Sequence, residues 1–356
     1  MRLIATSLLI MFSLFLSCGD DESLLEPIPN DPSLYFPTTG QWETQDLASL
    51  GWQTGELDPL LSYLEASNTD AFLLLHKGRI VIEAYFGATT STDNKPWFSA
   101  GKTLTALLSG IATQEGTLDL ETSTQEYLGE GWSGMPVEEE SAILLRHHLS
   151  MTTGLDDGVI DPFCTEPDCL QRLTAPNERW AYHNGPYNLI SHVIESASGL
   201  DYNSYTSLKL SNAIGMNGSW VDLGFNRIYF STPRSMARFG LLLLAQGQWD
   251  GRQMIESTFL NQMTNSSQSI NPAYGHLTWL NGQGSYMIPG VQVSFAGPIT
   301  PSAPADMYAA MGRNGQLINV VPSMDLVIIR MGDSPDNGLV PFSFQEELWT
   351  RLNRLF

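Results

Sequence analysis

In Pro96-Trp97-Phe98-Ser99-Ala100-Gly101-Lys102-Thr103-Leu104, a serine and a lysine stand three residues apart at the head of an apolar run. Leu104, Leu107, Leu108 and Ile111 recur at three- and four-residue spacing, which predicts a helix from Ser99 to about Glu115 with Gly116 as its stop. Positions three apart share a helix face, so the Lys102 amine reaches the Ser99 hydroxyl. A serine hydroxyl is a weak nucleophile until a base takes its proton. Lysine serves as that base when burial or a neighbouring positive charge lowers its pKa. The start of a helix also offers free backbone N–H groups and a dipole that favour developing negative charge. A helix cap followed by a solvated lysine would give the same letters. The apolar helix and the flanking Pro96-Trp97-Phe98 argue against that, in a chain with only four lysines.

Outward from this point the chain reads as strands at both ends and helices between. A helix is expected near 56–67. Ala71–Leu75 and Ile80–Phe86 form a hairpin around His76-Lys77-Gly78-Arg79, and runs so apolar suit a sheet covered on both faces. Further helices are expected near 139–150, 185–198, 201–211 and 232–246, the last with Thr232 as cap and Pro233 in its first turn. Strands return at Met307–Met311, Leu317–Val321 and Leu326–Arg330. A closing helix starts at Ser343, with Glu346 completing a capping box. Strands from both ends can share one antiparallel sheet, with the helical middle as a second lobe: an α+β arrangement.

The N-terminus carries Arg2, an apolar stretch Leu3–Leu16, then Leu16-Ser17-Cys18-Gly19 and an acidic run. The apolar stretch is too short for a membrane span and suits a secretory signal over residues 1–17. The Leu-Ser-Cys-Gly ending resembles a bacterial lipoprotein signal, with Cys18 as the lipidated residue. Residues 18–45 then form a tether, and 46–356 the folded domain. Cys164 and Cys169 flank a polar Pro-containing loop, and export would let them form a disulfide. A metal site there lacks histidine neighbours, and no cluster elsewhere has metal-ligand spacing. No cofactor is expected. The formal net charge of −21 argues against nucleic-acid binding. The only expected membrane contact is the lipid. No Gly-x-Ser-x-Gly elbow, His-Glu-x-x-His, phosphate loop or dinucleotide fingerprint is present.

A second element is Tyr182-His183-Asn184, ahead of Gly185-Pro186-Tyr187 and a helix. A loop between helices can present this phenol and amide to a cleft together, and a phenol beside Lys⁺ can relay protons. His183 would line the cleft or pack; His147, His148 and His276 read as capping or core residues. Tyr187 is placed at the pocket edge or in the core, and Trp180 as support for the Tyr182 loop.

Ser-x-x-Lys on the helix after a strand pair, then Tyr-x-Asn about eighty residues on, resembles the serine β-lactamase/penicillin-binding-protein superfamily. The class C β-lactamase, esterase and 6-aminohexanoate-dimer hydrolase branch is the most similar. Arg146–Leu155 and Ser235–Gly240 carry the likeness further, over residues 50–355. The resemblance implies a β-lactamase/transpeptidase-like fold, an antiparallel sheet flanked by helices plus a mostly helical lobe, with the active site between them. It implies that Ser99 forms an acyl-enzyme, that Lys102 and Tyr182 share acid and base duties, and that Asn184 orients Lys102 or the substrate. Gly312 would admit substrate backbone, and the N–H groups of Ser99 and Arg313 would hold the oxyanion. The family's third motif puts Lys or His where this chain has Ala310, and the Gly-x-x-Gly-Gln form of residues 312–316 resembles the esterase and aminohexanoate branch. The expected function is an exported serine hydrolase of a small ester or amide. The alternatives are a β-lactamase or D-Ala-D-Ala carboxypeptidase, and a non-catalytic surface sensor. Loops 155–176 and 282–305 are expected to wall the pocket.

Overall fold

The computed structural model describes residues 34–38, 40–335 and 340–356. Cys18 and the signal segment lie outside the described residues.

Among the described residues the first α-helix is α1 (Leu57–Ala66), followed by the expected hairpin, β1 (Thr69–His76) and β2 (Arg79–Tyr85). A short strand β3 (Lys95–Pro96) leads into the central helix α2 (Gly101–Gln114). The helical lobe follows, with α3 (Asn184–Ser198) as its main element. Then come β4 (Ser219–Leu223), β5 (Asn226–Ser231) and α4 (Pro233–Leu244). The last part holds β6 (Trp279–Leu280), β7 (Tyr308–Gly312), β8 (Gln316–Val321), β9 (Leu326–Gly332) and α5 (Phe342–Leu355).

The main sheet is antiparallel throughout, in the order β2-β1-β9-β8-β7-β6. The two chain ends therefore meet at β1 and β9, where Leu73 faces Ile329 and Leu74 faces Ile328. Successive side chains along β8 point to opposite faces, and both faces are covered. On one, Gly240 of α4 lies so close that a β-carbon would sit 2.5 Å from Val327 and 3.0 Å from Ile318. On the other, Asn319 pairs with Gln345 of α5 at 2.6 Å. Both amides are fully buried, and their mutual bond offsets the cost of removing them from water. A small second sheet, β3-β5-β4, joins the lead-in to α2 to the end of the helical lobe.

Several expectations change in detail. The helix begins at Gly101, and Ser99 sits in a 3-10 turn, Phe98–Ala100, just ahead of it. The helix expected near 139–150 is two short pieces, Val137–Glu140 and Leu145–Leu149. Glu346 closes no capping box. It accepts from the Ser302 N–H at 3.0 Å and from its hydroxyl at 2.5 Å, tying α5 to the loop before β7. Residues 35–38 and 40–45, within the segment expected as tether, pack on the body: Tyr35 N–H donates to Lys77 O, Gln45 N–H to Ile80 O, and Arg238 to Pro37 O and Thr38 O. Strand β2 alternates buried and half-exposed residues over Arg79–Ile82 because successive side chains point to opposite faces and only one of them is covered there; on the side away from β1 it is flanked by residues 43–45, through a parallel bridge between Thr44 and Ile80. Cys164 and Cys169 are disulfide-bonded.

Candidate functional site

The site is assembled around α2, which is buried on every side from Gly101 to Ala112. Lys102 is therefore drawn into the protein, and only 4% of it is exposed. Its Nζ donates to Asn184 Oδ1 at 2.8 Å and lies 3.3 Å from Ser99 Oγ. The amine also stands 3.9 Å from the centre of the Tyr187 ring and 5.2 Å from that of Tyr182. Burial disfavours the charged form and pushes the Lys102 pKa down to about 7. Burial moves the Tyr182 phenol the other way, well above its usual range, and a hydrogen bond with Ser99 offsets part of this. A lysine near neutrality and a tyrosine that keeps its proton thus meet at one serine, which is the environment general acid–base chemistry needs.

The turn that carries Ser99 is fixed from behind. Trp97 N–H donates to Tyr229 O at 2.8 Å, and the Trp97 indole donates to Ser231 Oγ at 2.8 Å, so β5 holds the turn. Phe98 has φ of 46°, a left-handed value that costs a non-glycine residue on the order of 1 kcal/mol. Such outliers persist where surrounding structure enforces them, and here the residue enforced is the neighbour of Ser99.

The Tyr182 loop is braced by aromatic packing. Tyr182 stacks on Trp279 with centroids 5.8 Å apart, and Trp180 packs at 6.3 Å, as the support reading expected. The His148 ring donates from Nδ1 to Pro186 O at 2.8 Å and pairs through Nε2 with Thr124 at 2.9 Å. It is a structural tie on the first turn of α3, which begins at Asn184. His183 is buried but does not line the pocket. His276 lies on the loop whose next residue, Leu277, accepts from Thr103 at 2.9 Å.

Gly312, at the end of β7, lies against the turn that carries Ser99. A β-carbon there would be 2.4 Å from Trp97 O and 2.9 Å from Ala100 N, so only glycine fits. Among the turn and loop hydrogen bonds of the described residues, neither the Ser99 nor the Arg313 N–H has an acceptor. The Arg313 side chain is exposed and lines the pocket. Ala310 is buried within β7.

These residues open on a cavity of about 160 Å³, lined by Phe98, Ser99, Lys102, Tyr182, Asn184, Tyr187 and Arg313 together with residues the sequence did not single out. Phe163 comes from the disulfide loop. Asn226, Arg227 and Ile228 come from β5, and Val340 precedes α5. Of the two loops expected as walls, 155–176 contributes Phe163 and 282–305 contributes nothing. Phe163 had a signal in its neighbour Cys164. The β5 residues had none, because they belong to a short strand that the helical middle concealed. Among the described residues no Asp or Glu lines the cavity, although the chain carries 38 of them. Arg227 is held by Glu195 and Asp222, each at 2.7 Å.

The site can be set beside known proteins. Penicillin-binding protein 4* of Bacillus subtilis (strain 168) is 26% identical over 170 residues, 40% of this chain and 36% of that protein. The match therefore spans about a third of that relative. Among solved structures, a protein described as a 6-aminohexanoate-dimer hydrolase from Bacillus anthracis superposes with a TM-score of 0.66 at 18% identity, covering 91% of this chain and 88% of that one. A beta-lactamase from Mycobacterium bovis gives 0.61 at 16% identity, covering 85% and 100%. A penicillin-binding-protein homologue from Caulobacter crescentus gives 0.62 at 14%, covering 83% and 95%. At these identities the superpositions establish the fold, an antiparallel sheet with helices and a helical lobe. The Beta-lactamase family matches the sequence itself over residues 62–338, most of the chain. This protein belongs to the beta-lactamase family, within the serine β-lactamase and penicillin-binding-protein superfamily.

Proposed function

We propose that this protein is a serine hydrolase that cleaves an ester or amide of a small molecule through an acyl-enzyme on Ser99. One observation carries the reading. Lys102 is buried with Ser99 and Asn184 as its polar partners, and among the described residues no carboxylate lies within ion-pair distance of it. A structural lysine would be exposed or paired; a buried amine with a pKa of about 7 is a base at neutral pH.

In this mechanism the free amine takes the Ser99 hydroxyl proton as Oγ attacks the substrate carbonyl carbon. Charge passes to the carbonyl oxygen, where the N–H groups of Ser99 and Arg313 receive it. Tyr182 gives its proton to the departing oxygen or nitrogen, and the proton now on Lys102 restores the phenol. Water then attacks acyl-Ser99 with Lys102 again as base, releasing the acid and the free serine. No metal or cofactor is needed. Phe98, Phe163, Ile228 and Val340 suit a compact apolar substituent beside the scissile bond. Ala310 leaves no cation at that strand position, which favours esters and amides over β-lactams and D-Ala peptides.

We further propose export and lipid attachment at Cys18, with a periplasmic or cell-surface location; the Cys164–Cys169 bond fits an oxidising compartment.

The test is intact-mass labelling of the full chain with a fluorophosphonate, followed by p-nitrophenyl butyrate and nitrocefin hydrolysis. One adduct on wild type, none on Ser99→Ala, and ester turnover that follows the same pattern are expected. Faster nitrocefin than ester turnover would support the β-lactamase reading. A folded but inert wild type would support a surface sensor.

A further inference from the structure

Arg330, on β9, is fully buried, and its guanidinium lies beneath the turn that joins β7 to β8. Nη1 donates to Asn314 O at 2.5 Å and to Gly315 O at 3.2 Å. Nη2 donates to Ser67 O at 2.7 Å and Asp333 O at 3.0 Å, and Nε to the Thr69 hydroxyl at 3.1 Å. One side chain thus ties the end of α1, the start of β1 and the end of β9 to two consecutive carbonyls of the turn.

Two glycines leave room for it, although Gly332 is also pressed by Asn68 O, 2.3 Å from where its β-carbon would be, and Gly315 has a left-handed φ of 70°. A β-carbon on Gly315 would sit 2.7 Å from Nη1, and one on Gly332 would sit 2.8 Å from Cζ. Gln316 completes the arrangement. Its Nε2 donates to Gly332 O at 2.6 Å, and its Oε1 accepts from the Gly332 N–H at 3.3 Å. The Gly-x-x-Gly-Gln pattern of residues 312–316 thereby gains a physical account. Gly312 is pressed on the nucleophile turn, while Gly315 and Gln316 make room for the guanidinium and lock the neighbouring strand. Between them, Asn314 holds a left-handed φ of 63°.

We propose that Arg330 is a positioning residue for hydrolysis: by clamping the Asn314 and Gly315 carbonyls it keeps the Arg313 N–H aimed at the substrate carbonyl oxygen. The proposal rests on the acyl-Ser99 reading above. An oxyanion donor contributes only when held where the charge develops, and losing one lowers turnover by roughly 10²–10³. A donor that is loosened rather than lost should lower it by about tenfold or more.

The test compares an ester with its thionoester counterpart on the full chain. Sulfur is a weak hydrogen-bond acceptor, so the ratio of the two rates reports on donors at the carbonyl, and a purely structural defect does not move it. Arg330→Lys keeps the charge but cannot bridge five acceptors. It should fold by circular dichroism, lose about tenfold or more in ester kcat with KM within about twofold, and show a matching fall in the ester-to-thionoester ratio. Thr69→Val removes one anchor of the clamp at nearly constant volume and should shift the ratio in the same direction by about two- to fivefold. It decides the matter if Arg330→Lys fails to fold. Arg234→Lys, which weakens the bidentate pair with Glu83, serves as a comparison that lowers the melting temperature without moving the ratio. A wild-type ratio in a folded Arg330→Lys, or in Thr69→Val when the former does not fold, overturns the clamp and leaves the hydrolase reading intact. Absence of Ser99 labelling and ester turnover in wild type overturns the hydrolase reading itself.

Discussion

Replacing Lys102 by methionine should abolish ester turnover and, at neutral pH, stabilise the fold. Methionine keeps the length and the apolar stem of the side chain and removes the amine. The stabilisation follows from linkage. The folded-state pKa is about 7 against 10.5 for the free side chain, so between those values the unfolded chain binds a proton that the folded one excludes. At about 1.4 kcal/mol for each tenfold ratio, the native state carries a penalty of roughly 4–5 kcal/mol below pH 7. That penalty shrinks as pH rises through the interval and is gone above about pH 10.5. The substitution also strands Asn184 Oδ1, which now accepts from Nζ at 2.8 Å. An unpaired buried acceptor costs about 1–3 kcal/mol. The expected net gain at pH 6–7 is therefore about 1–4 kcal/mol. For a chain this long that is on the order of 2–6 °C in Tm. Thermal melts of wild type and Lys102→Met at pH 6, 7, 9 and 10.5 measure it. The difference should be largest at pH 6 and should vanish or change sign by pH 10.5. A variant less stable than wild type at pH 6, or a difference that does not vary with pH, would refute the claim that Lys102 is held near neutrality by burial.

Other consequences are open to direct measurement. In wild type, kcat/KM for a neutral ester should climb about tenfold per pH unit below 7 and level off above it, because Lys102 must lose its proton to act; a flat profile from pH 5 to 8 would remove it as the base. Changing both Cys164 and Cys169 to Ser should cost about 2 kcal/mol for so short a loop. It should also raise KM severalfold with kcat within about twofold, because without the disulfide Phe163 is tied to the body of the lobe by the bond from Asn188 Nδ2 at 3.0 Å and the neighbouring bond from Gly185 N–H to Pro162 O at 2.8 Å, its own N–H bonding only within the loop, to Asp161 Oδ1 at 2.9 Å. Unchanged KM would mean that Phe163 does not shape the pocket. Gly110→Ala forces a β-carbon within 2.4 Å of the Phe259 ring and 2.6 Å of Ile255, so a loss of about 1–3 kcal/mol is expected in denaturant titrations. Arg313→Ala keeps the main-chain N–H, so neutral esters should hydrolyse within about twofold of wild type; a loss of a hundredfold would assign the chemistry to the guanidinium instead.

The elements that lie close along the chain were legible in it. Hydrophobic spacing gave β1, β2, β8, β9 and α2 to within a few residues, since those periods are set by backbone geometry and by which face is buried. Ser99 and Lys102 could be paired because three residues is less than a helical turn. The broken helix at 137–149 was not legible. Its two halves share one apolar pattern, and the break is made by Thr124 N–H bonding Ile143 O and Leu145 N–H bonding Thr122 O, contacts from another segment. Glu346 had the letters of a capping box, yet Ser302, distant in sequence, claims its carboxylate. Strand β5 escaped notice although it forms a local hairpin with β4, because both strands are short and follow a run of helices; only its two pairs with β3 are long-range, and it supplies a wall of the pocket.

The sequence by itself determined which groups are candidates for the chemistry: a serine and lysine one turn apart, a Tyr-x-Asn ahead of a helix, a glycine at the end of a strand, and a cysteine pair five residues apart. Those relations are local, and the stiffness of the backbone translates them directly into geometry. Only the tertiary structure decided that Lys102 is dry, that Asn184 meets it, that Phe163, Ile228 and Val340 enclose the cavity, and that Arg330 lies beneath the turn at Arg313. Burial is a collective property. It is produced by segments as much as 263 residues apart, as in the bond from Arg330 to Ser67 O, and no local pattern encodes which of them will exclude water from a given side chain.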